Sequence, residues 1–200
     1  MDSNIKVIEA FNQFAEKYAD STFSNLLQYE LNRFIALLPK NGSLLDVGCG
    51  SGRDVHYFLD ENLKVVGVDA SEKLIMEAKK KVESGDFRVM NMLDLSFDEG
   101  FDGVWALDVV SYLSKDKILD VLKQFSKVLK ESGILFISVR KGEGEKLVRH
   151  EKLGKEEVLI SFFGQNELEG LLKKSGFEIL NSNVEEGEHF TWINMFAKKK

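Results

Sequence analysis

Residues 44–54 constrain the fold of this chain more than any other stretch. An apolar run that contains Asp46 is followed by Gly48, Gly50 and Gly52, and a helical pattern starts directly after them. Glycine adopts backbone angles that are closed to other residues, and it leaves no side chain in the way of a ligand. A strand, a glycine-rich turn and a helix in this order predict a nucleotide-binding βα unit, with the ligand near the positive end of the helix.

Length, charge and cysteine content narrow the class of protein. A chain of 200 residues is long enough for one well-packed domain, and its net charge of −6 disfavours a broad nucleic-acid surface. The apolar runs are too short to cross a bilayer and no secretion signal is recognised, so we expect no membrane partner. One cysteine excludes an internal disulfide framework and fits a reducing compartment, so we expect a cytoplasmic protein.

The N-terminal region reads as helix. Apolar residues recur every three or four positions over 5–38, with a break near 20–24, and Pro39 disfavours continuation. We therefore predict a single domain with these parts: an N-terminal helical cap at 1–40, a core at 41–200, and an insert in that core at about 140–163.

Strands and helices alternate through the core. The predicted strands are 44–47, 64–69, 86–90, 101–107, 134–139, 178–184 and 191–197. The predicted helices are 53–61, 72–82, capped by Ser71, 115–130, ended by Ser132 and Gly133, and 165–174. Alternation predicts a Rossmann-like, doubly wound α/β sheet that is mostly parallel, and the last two strands, with no helix between them, predict a C-terminal antiparallel hairpin.

Ligands of such sheets lie beyond the carboxyl ends of the strands, and acidic residues stand there. Asp69 ends the second strand about twenty residues after the glycine turn, where a carboxylate can accept hydrogen bonds from both ribose hydroxyls. The third strand leads into Asn91, Met92, Leu93 and Asp94. Asp94 either accepts a hydrogen bond from an adenine amino group, with Met92 and Leu93 against the ring, or begins a polar turn.

The spacing of the glycines argues against a dinucleotide. The fingerprint G-x-G-x-x-G/A requires Gly or Ala where this chain has Arg53, and the sequence contains no G-x-x-x-x-G-K-[ST] phosphate loop. Asp46 would oppose a pyrophosphate but would suit a cationic ligand. The turn therefore predicts a ligand in which adenosine carries an amino acid or a sulfonium group.

Four segments together resemble class I S-adenosylmethionine-dependent methyltransferases. Residues 44–52 are similar to the glycine-rich first motif of that family and residues 65–71 to its second-strand motif, while 101–107 and 129–135 resemble later motifs. Arg53 and Asp54, directly after the glycine turn, resemble the small-molecule subgroup of that family at this position. This subgroup includes tellurite-resistance and thiol methyltransferases. The resemblance runs from about residue 40 to the C-terminus.

The resemblance implies an enzyme that uses S-adenosylmethionine, releases S-adenosylhomocysteine and methylates a small molecule. It implies that Asp46 lies near the ammonium group of the cofactor and that Gly48 and Gly50 lie closest to its methionine and ribose portions. It also implies that Asp69 binds the ribose hydroxyls. The cofactor-contacting residues that it implies are Tyr18, Asp46, Gly48, Cys49, Gly50, Asp69, Ala70, Met92, Leu93, Asp94 and Leu107. Tyr18 is either part of a lid helix over the cofactor or a core residue.

No catalytic residue is predicted, because in-line transfer from an activated donor depends mainly on positioning. His150 and His189 are either acceptor-orienting groups or exposed loop residues. Three scattered histidines and one cysteine give no metal-ligand spacing, so we predict no metal site. The charged, glycine-bearing run 143–157 is long enough to form a mobile flap.

Other functions stay open at this level. A non-catalytic S-adenosylmethionine-binding or regulatory module would share the fold. An NAD-dependent oxidoreductase is disfavoured by Arg53, and the net acidity disfavours a nucleic-acid methyltransferase.

Overall fold

The computed structural model describes residues 3–200. Its helices are α1 (Ser3–Gln13), α2 (Ala15–Thr22), α3 (Gln28–Leu37), α4 (Arg53–Asp60), α5 (Glu72–Lys81), α6 (Ile118–Val128) and α7 (Gln165–Lys174). Its strands are β1 (Ser43–Val47), β2 (Lys64–Asp69), β3 (Asp86–Val89), β4 (Phe101–Leu107), β5 (Leu129–Arg140), β6 (Glu145–His150), β7 (Glu156–Ser161), β8 (Phe177–Glu186) and β9 (Thr191–Lys199).

Seven strands form one sheet in the order β3-β2-β1-β4-β5-β9-β8. Strands β1 to β5 pair in parallel, whereas β9 pairs antiparallel with β5 and with β8. This confirms the predicted Rossmann-like sheet with a C-terminal hairpin. The strand order reverses between β1 and β4, which is the place where open α/β sheets bind ligands.

Helices cover both faces of this sheet. On one face, α6 and α7 bury Leu122, Phe125 and Leu168 against the strands. On the other face, α3, α4 and α5 bury a second apolar cluster around Phe34 and Phe58. Because both faces are covered, the central strands β1 and β4 are buried along nearly their whole length, whereas only Phe87 is buried in the edge strand β3.

Trp105 joins the second cluster to the start of α4. Its fully buried ring stacks on Phe136, with the ring centres 3.9 Å apart and the planes 16° from parallel. Its indole N–H donates to Asp54 Oδ2 at 3.0 Å, and Arg53 donates to both oxygens of the same carboxylate at 2.7 and 2.9 Å. The first turn of α4 is therefore fixed to the middle of β4.

The structure differs from the prediction around α6. We expected the helix to reach residue 130, but α6 ends at Val128 and β5 starts at Leu129. Leu129 is buried and pairs with Phe101 of β4, so the sheet captures residues that carry a helical pattern. Ser132, with a φ of 63°, takes the left-handed turn inside the strand region instead of ending a helix.

The insert forms its own small sheet. Strands β6 and β7 pair antiparallel from Glu145 with Ser161 to His150 with Glu156, across most of the run expected to be a flap. Leu153, Val158 and Ile160 pack against the cap helix α1. The cap itself is broken at Phe14 as well as after Thr22, so it consists of three short helices where the pattern predicted two segments.

The Trp105–Asp54 hydrogen bond gives a stability prediction. Trp105→Phe keeps the stack on Phe136 but removes the N–H that satisfies a buried carboxylate, so we expect a loss of about 2 kcal/mol. Urea unfolding followed by far-ultraviolet circular dichroism measures it.

Tyr29→Phe is the control, because that ring is 66% exposed and its loss of a hydroxyl should change stability by less than about 0.5 kcal/mol. Equal urea midpoints for wild type and Trp105→Phe would show that the indole N–H contributes nothing.

Candidate functional site

The glycine turn between β1 and α4 is held by the neighbouring strand. The N–H groups of Gly48 and Cys49 donate to Val68 O at 2.8 and 3.0 Å. Gly48, Gly50 and Gly52 have φ values of 74°, 54° and 82°, so all three take the left-handed conformation that favours glycine.

The three glycines are needed for different reasons. A Cβ at Gly48 would lie 2.3 Å from the Val109 side chain, and one at Gly52 would lie 2.7 Å from Phe87. At Gly50 the nearest atom is Cε1 of Tyr18, at 3.9 Å. Gly48 and Gly52 therefore permit close packing, whereas Gly50 presents bare backbone to open space.

Two adjoining cavities meet at this turn. The lid cavity lies under α1 and is lined by Asn4, Val7, Ile8, Phe11, Tyr18, Val47, Gly48, Gly50, Asp69, Ala70, Leu74, Met90, Asn91, Met92, Leu107, Asp108, Val109, Tyr112 and Leu113. The loop cavity is lined by Tyr18, Thr22, Asn25, Asp46, Gly48, Cys49, Gly50, Ser51, Arg53, Asp54, Leu107, Asp108 and Lys152. The shared residues, such as Gly50 and Leu107, show that the two are parts of one site at the strand-order switch.

Asp69 lies at the end of β2 with its carboxylate on this site. Its Oδ2 accepts from Gly50 N at 3.0 Å, and its Oδ1 accepts from Ser71 N at 2.8 Å. Burial raises the pKa of Asp69, while the Ser71 and Gly50 N–H bonds oppose that rise. The carboxylate thus connects the glycine turn to the start of α5, where Ser71 Oγ accepts from Leu74 N as the predicted cap.

Asp46 is a buried acid with a free oxygen. Its side chain is almost fully covered, and its Oδ2 has no hydrogen-bond partner within residues 3–200. Burial raises the pKa of Asp46 well above its ordinary value, the Asp54 charge adds to the rise, and Arg53 opposes it. A buried carboxylate oxygen without a partner is costly, so this position suits a ligand that donates hydrogen bonds or carries positive charge.

The helical cap roofs the site. Val7, Ile8 and Phe11 of α1 and Tyr18 of α2 line the lid cavity. Burial, followed by the nearby Asp108 charge, raises the pKa of Tyr18 to about 12, so its hydroxyl stays protonated.

One side chain fastens this roof to the core. Asn12 Oδ1 accepts from Ser71 Oγ at 2.8 Å and from Lys73 N at 3.1 Å at the start of α5. Asn12 carried no sequence signal, because its partners lie about sixty residues away along the chain.

Nine of the eleven residues singled out in the sequence line the two cavities: Tyr18, Asp46, Gly48, Cys49, Gly50, Asp69, Ala70, Met92 and Leu107. Leu93 and Asp94 do not. Asn91 Oδ1 accepts from Leu93 N at 3.0 Å and Asn91 O accepts from Asp94 N at 2.9 Å, so the chain turns here and leaves Asp94 exposed.

Met90 and Asn91 line the lid cavity instead, one residue or two closer to β3 than expected. The polar-turn interpretation of Asp94 therefore fits the geometry. Arg53 lines the loop cavity but was not among the predicted site residues. In the sequence it argued against a dinucleotide and, with Asp54, carried the resemblance to the small-molecule subgroup.

Cys49 is buried in the turn. Burial raises the pKa of its thiol well above the ordinary value, and the Asp46 and Asp69 charges raise it further. The thiol therefore stays protonated, which agrees with a structural role in the turn and not with a nucleophile.

A polar cluster closes the far side of the lid cavity. Arg140 Nε and Nη2 donate to the two oxygens of Asp108 at 3.2 and 2.8 Å, and Nη2 also donates to Tyr112 Oη at 2.8 Å. Tyr112 Oη lies 3.0 Å from His150 Nε2. Asp108 takes a φ of 55°, a strained angle for a residue with a side chain, and the Arg140 fork holds it there.

His150 and His189 occupy different settings. Burial, then the charges of Arg140 and Lys152, lower the pKa of His150 to about 4, so its imidazole is neutral at physiological pH. The side chain of His189 is 71% exposed and lies near Glu188 in the loop between β8 and β9. Only His150 contacts residues that line the site.

Residues 3–200 offer neither a metal-ligand cluster nor a membrane-spanning helix. No group of three or more His, Cys, Asp or Glu side chains in that range could hold a metal ion. No helix in the same range combines the length and the apolar character that a membrane span requires.

Known proteins that resemble this chain are methyltransferases or proteins named for related reactions. A model described as a methyltransferase domain matches residues 44–133. YqeM of Bacillus subtilis (strain 168), whose name proposes methyltransferase activity, is 31% identical over 136 residues, which are 64% of this chain and 55% of YqeM. A tRNA U34 carboxymethyltransferase of Shewanella loihica is 31% identical over 149 residues, 69% of this chain and 44% of that protein. The chain thus spans about half the length of the curated relatives that it matches.

A solved structure shows the same fold. The 1,6-didemethyltoxoflavin-N1-methyltransferase of Burkholderia thailandensis, solved with 1,6-didemethyltoxoflavin and S-adenosylhomocysteine, superposes with a TM-score of 0.73 at 21% identity. The match covers 100% of this chain and 92% of that protein. The family model, the curated relatives and this fold together support a class I S-adenosylmethionine-dependent methyltransferase.

Proposed function

We propose that this protein transfers a methyl group from S-adenosylmethionine to a small-molecule acceptor. The observation that carries the proposal is the meeting of Asp46, Asp69 and the bare backbone of Gly50 on one site at the switch point of the sheet. The match of residues 44–133 to a methyltransferase-domain model supports the same reaction.

The charged side chains of the site fit the two ends of this cofactor. Asp69 offers a half-buried carboxylate for the ribose hydroxyls, and the free Asp46 Oδ2 suits the ammonium group of the methionine portion. Arg53 lines the same loop cavity and supplies a positive charge for the carboxylate of that portion. When bound, S-adenosylmethionine supplies a methyl group that its sulfonium has already activated.

Apolar side chains fit the adenine. Ala70, Leu74, Met90 and Met92 line the lid cavity beside Asp69, and Asn91 adds an amide that can both donate and accept hydrogen bonds. We assign the adenine to these residues and leave Leu93 and Asp94 out of the contact set. Cys49 and Leu107 contribute walls of the methionine side.

The work of the chain in this proposal is positioning. The roof of α1 excludes water, the glycine turn and the two carboxylates fix one reactant, and the acceptor must then meet it in line. Neither the protonated thiol of Cys49 nor the protonated hydroxyl of Tyr18 provides a base at neutral pH.

A small acceptor suits a site that lies under a helical roof in a chain of net charge −6. We further propose a single methyltransferase domain that acts in the cytoplasm, because a reducing compartment keeps a free thiol such as that of Cys49 reduced. The Shewanella relative is named for a tRNA reaction, so RNA belongs among the compounds to be tested.

Calorimetric titration tests the cofactor, with S-adenosylmethionine, S-adenosylhomocysteine and NAD as separate ligands. Binding of the first two without NAD supports the proposal, whereas tight NAD binding alone would overturn it. Transfer of a radiolabelled methyl group is then measured over phenols, thiols, amines, carboxylates and unmodified tRNA. Cofactor binding with no transfer to any of these classes would favour a regulatory module.

Asp69→Asn tests the ribose assignment. The amide keeps one acceptor oxygen but puts an NH2 group against one of the two donors, Gly50 N or Ser71 N, and it weakens the acceptors left for the ribose. We expect S-adenosylhomocysteine to bind at least about 100-fold more weakly in calorimetry, with the circular dichroism spectrum unchanged.

Asp94→Asn is the matched control, because it makes the same chemical change on an exposed acid outside both cavities. It should bind S-adenosylhomocysteine as the wild type does. Equal affinity of Asp69→Asn and wild type would refute the assignment of Asp69, and a loss in Asp94→Asn would return Asp94 to the site.

The raised pKa of Asp46 predicts that the affinity for a ligand depends on pH only when that ligand carries the amino acid portion. Burial raises the pKa of Asp46, so the carboxylate protonates at a higher pH than an ordinary aspartate does and then attracts an ammonium less. The affinity for S-adenosylhomocysteine should therefore fall, as the pH is lowered, more steeply than the affinity for 5′-methylthioadenosine, which lacks the amino acid.

The ratio of the two affinities isolates Asp46, because both ligands carry the ribose that Asp69 would hold. Asp46→Asn should weaken S-adenosylhomocysteine by about tenfold or more and remove the pH dependence of that ratio. Parallel pH profiles for the two ligands in the wild type would contradict the ammonium assignment.

A further inference from the structure

The lid cavity has two halves, one on either side of the glycine turn. The sheet order places the end of β2 on one side of β1 and the end of β4 on the other. The β2 half, with Asp69 and Ala70, takes the adenosine in the proposed function. The β4 half is lined by Val109, Tyr112 and Leu113, which follow β4, and the proposed function assigns no part of the cofactor to it.

Val109 brings the β4 half up to the methionine portion of the cofactor. Its side chain packs against the backbone of Gly48, since a Cβ at Gly48 would lie 2.3 Å from it. Gly48 lines both the lid cavity and the loop cavity, and the proposed function puts the methionine portion in the loop cavity. The β4 half is therefore the space next to the portion that carries the methyl group, where an acceptor has to lie.

The walls of the β4 half are apolar and aromatic. The ring of Phe11 is edge-on to those of Tyr18 and Tyr112, with ring centres 5.1 and 5.2 Å apart, and all three rings line the cavity. Ile8 lies one turn before Phe11 on the same face of α1, and Leu113 lines the cavity from the segment after β4. Such walls gain free energy by covering an apolar body and offer few partners to a polar one.

No lysine or arginine of residues 3–200 lines the lid cavity, whereas the acids Asp69 and Asp108 do. Arg140 balances Asp108 through hydrogen bonds of 3.2 and 2.8 Å, but Arg140 itself lines neither cavity. Burial, then the nearby Asp108 charge, raises the pKa of Tyr112 well above its ordinary value, so the Tyr112 hydroxyl stays neutral. An anion in this half would lose its hydration and find no cation in return.

We propose that the methyl acceptor is a molecule with an apolar body and no negative charge, and that it binds in the β4 half under Ile8 and Phe11. This inference rests on the proposed methyltransferase function and adds the acceptor class to it. Carboxylates, phosphates and other oxyanions are then poor acceptors, because the lining of the cavity excludes them by charge and not by size.

Three probes test this class on protein saturated with S-adenosylhomocysteine. Benzamide and benzoate have nearly the same shape and differ in charge, and acetamide has the amide of benzamide without the ring. In ligand-observed NMR titrations at neutral pH, we expect benzamide to bind at least about tenfold more tightly than either of the others.

Equal affinities of benzamide and benzoate, or no measurable binding of benzamide, would overturn the proposed class. Tighter binding of benzoate would overturn it as well, and would direct attention to the loop cavity, which Arg53 and Lys152 line.

Ile8→Lys tests where the probes bind. It puts an ammonium group on the wall of the lid cavity, and lysine is a good helix former, so α1 should still form. We expect the affinity for benzoate relative to benzamide to rise about tenfold. Ile5→Lys is the matched control, because Ile5 is 48% exposed on the same helix and lines neither cavity. An unchanged ratio in Ile8→Lys, or an equal rise in both variants, would overturn the placement under α1.

Phe11→Leu tests the aromatic wall without adding a charge. Loss of the ring should weaken the binding of benzamide about fivefold, because the edge-on ring contacts are gone. Unchanged affinity for benzamide in this variant would contradict the binding of the acceptor against Phe11.

Binding of S-adenosylhomocysteine and the circular dichroism spectrum are measured first on every protein. Failure of the wild type to bind S-adenosylhomocysteine refutes the proposed function itself, whereas normal binding without the preference for benzamide refutes only the acceptor class. Loss of S-adenosylhomocysteine binding in Ile8→Lys or Phe11→Leu would assign this face of α1 to the cofactor and overturn the placement of the acceptor there.

Discussion

The half-buried carboxylate of Asp69 constrains the geometry of the whole site. Its two oxygens accept from Gly50 N and Ser71 N, so one side chain fixes the turn after β1 and the start of α5. The same strand supplies Val68 O, which accepts from Gly48 and Cys49. Unpartnered backbone N–H groups would be costly here, and the end of β2 satisfies them. The glycine turn therefore keeps its shape because β2 pairs with β1 in the observed register.

A second constraint on the site comes from β4. Trp105 at the centre of β4 donates to Asp54, and Asp54 also accepts both hydrogen bonds from Arg53. The first turn of α4 is thus tied to the strand on the other side of the switch point. Asp46 lies between these anchors, so its free oxygen faces a cavity whose walls come from rigid elements. A preorganised site loses little conformational entropy when a ligand binds.

Sequence patterns predicted the features that depend on neighbours along the chain. The glycine turn, the Ser71 cap and Asp69 at the end of β2 follow from local spacing, and the bounds of β2, β4 and α7 agreed with the prediction. The ends of α6 and β5 were wrong, because Leu129 carries a helical pattern yet pairs with Phe101, far away in the sequence. The pairing of β6 with β7 was missed for a similar reason, since their alternation is hidden by charged residues on both faces.

The two halves of the site differ in how they are encoded. The proposed cofactor half takes its polar groups from Asp46, the glycine turn and Asp69, which lie within one βαβ unit, so a short motif can describe it. The polar cluster on the far side of the lid cavity joins Asp108 after β4, Arg140 at the end of β5 and His150 at the end of β6. The pairing of β4 with β5 and the placement of the insert bring these residues together, and hydrogen bonds with Tyr112 and Asp108 connect them. No short motif can describe such a cluster, because its members come from distant parts of the chain.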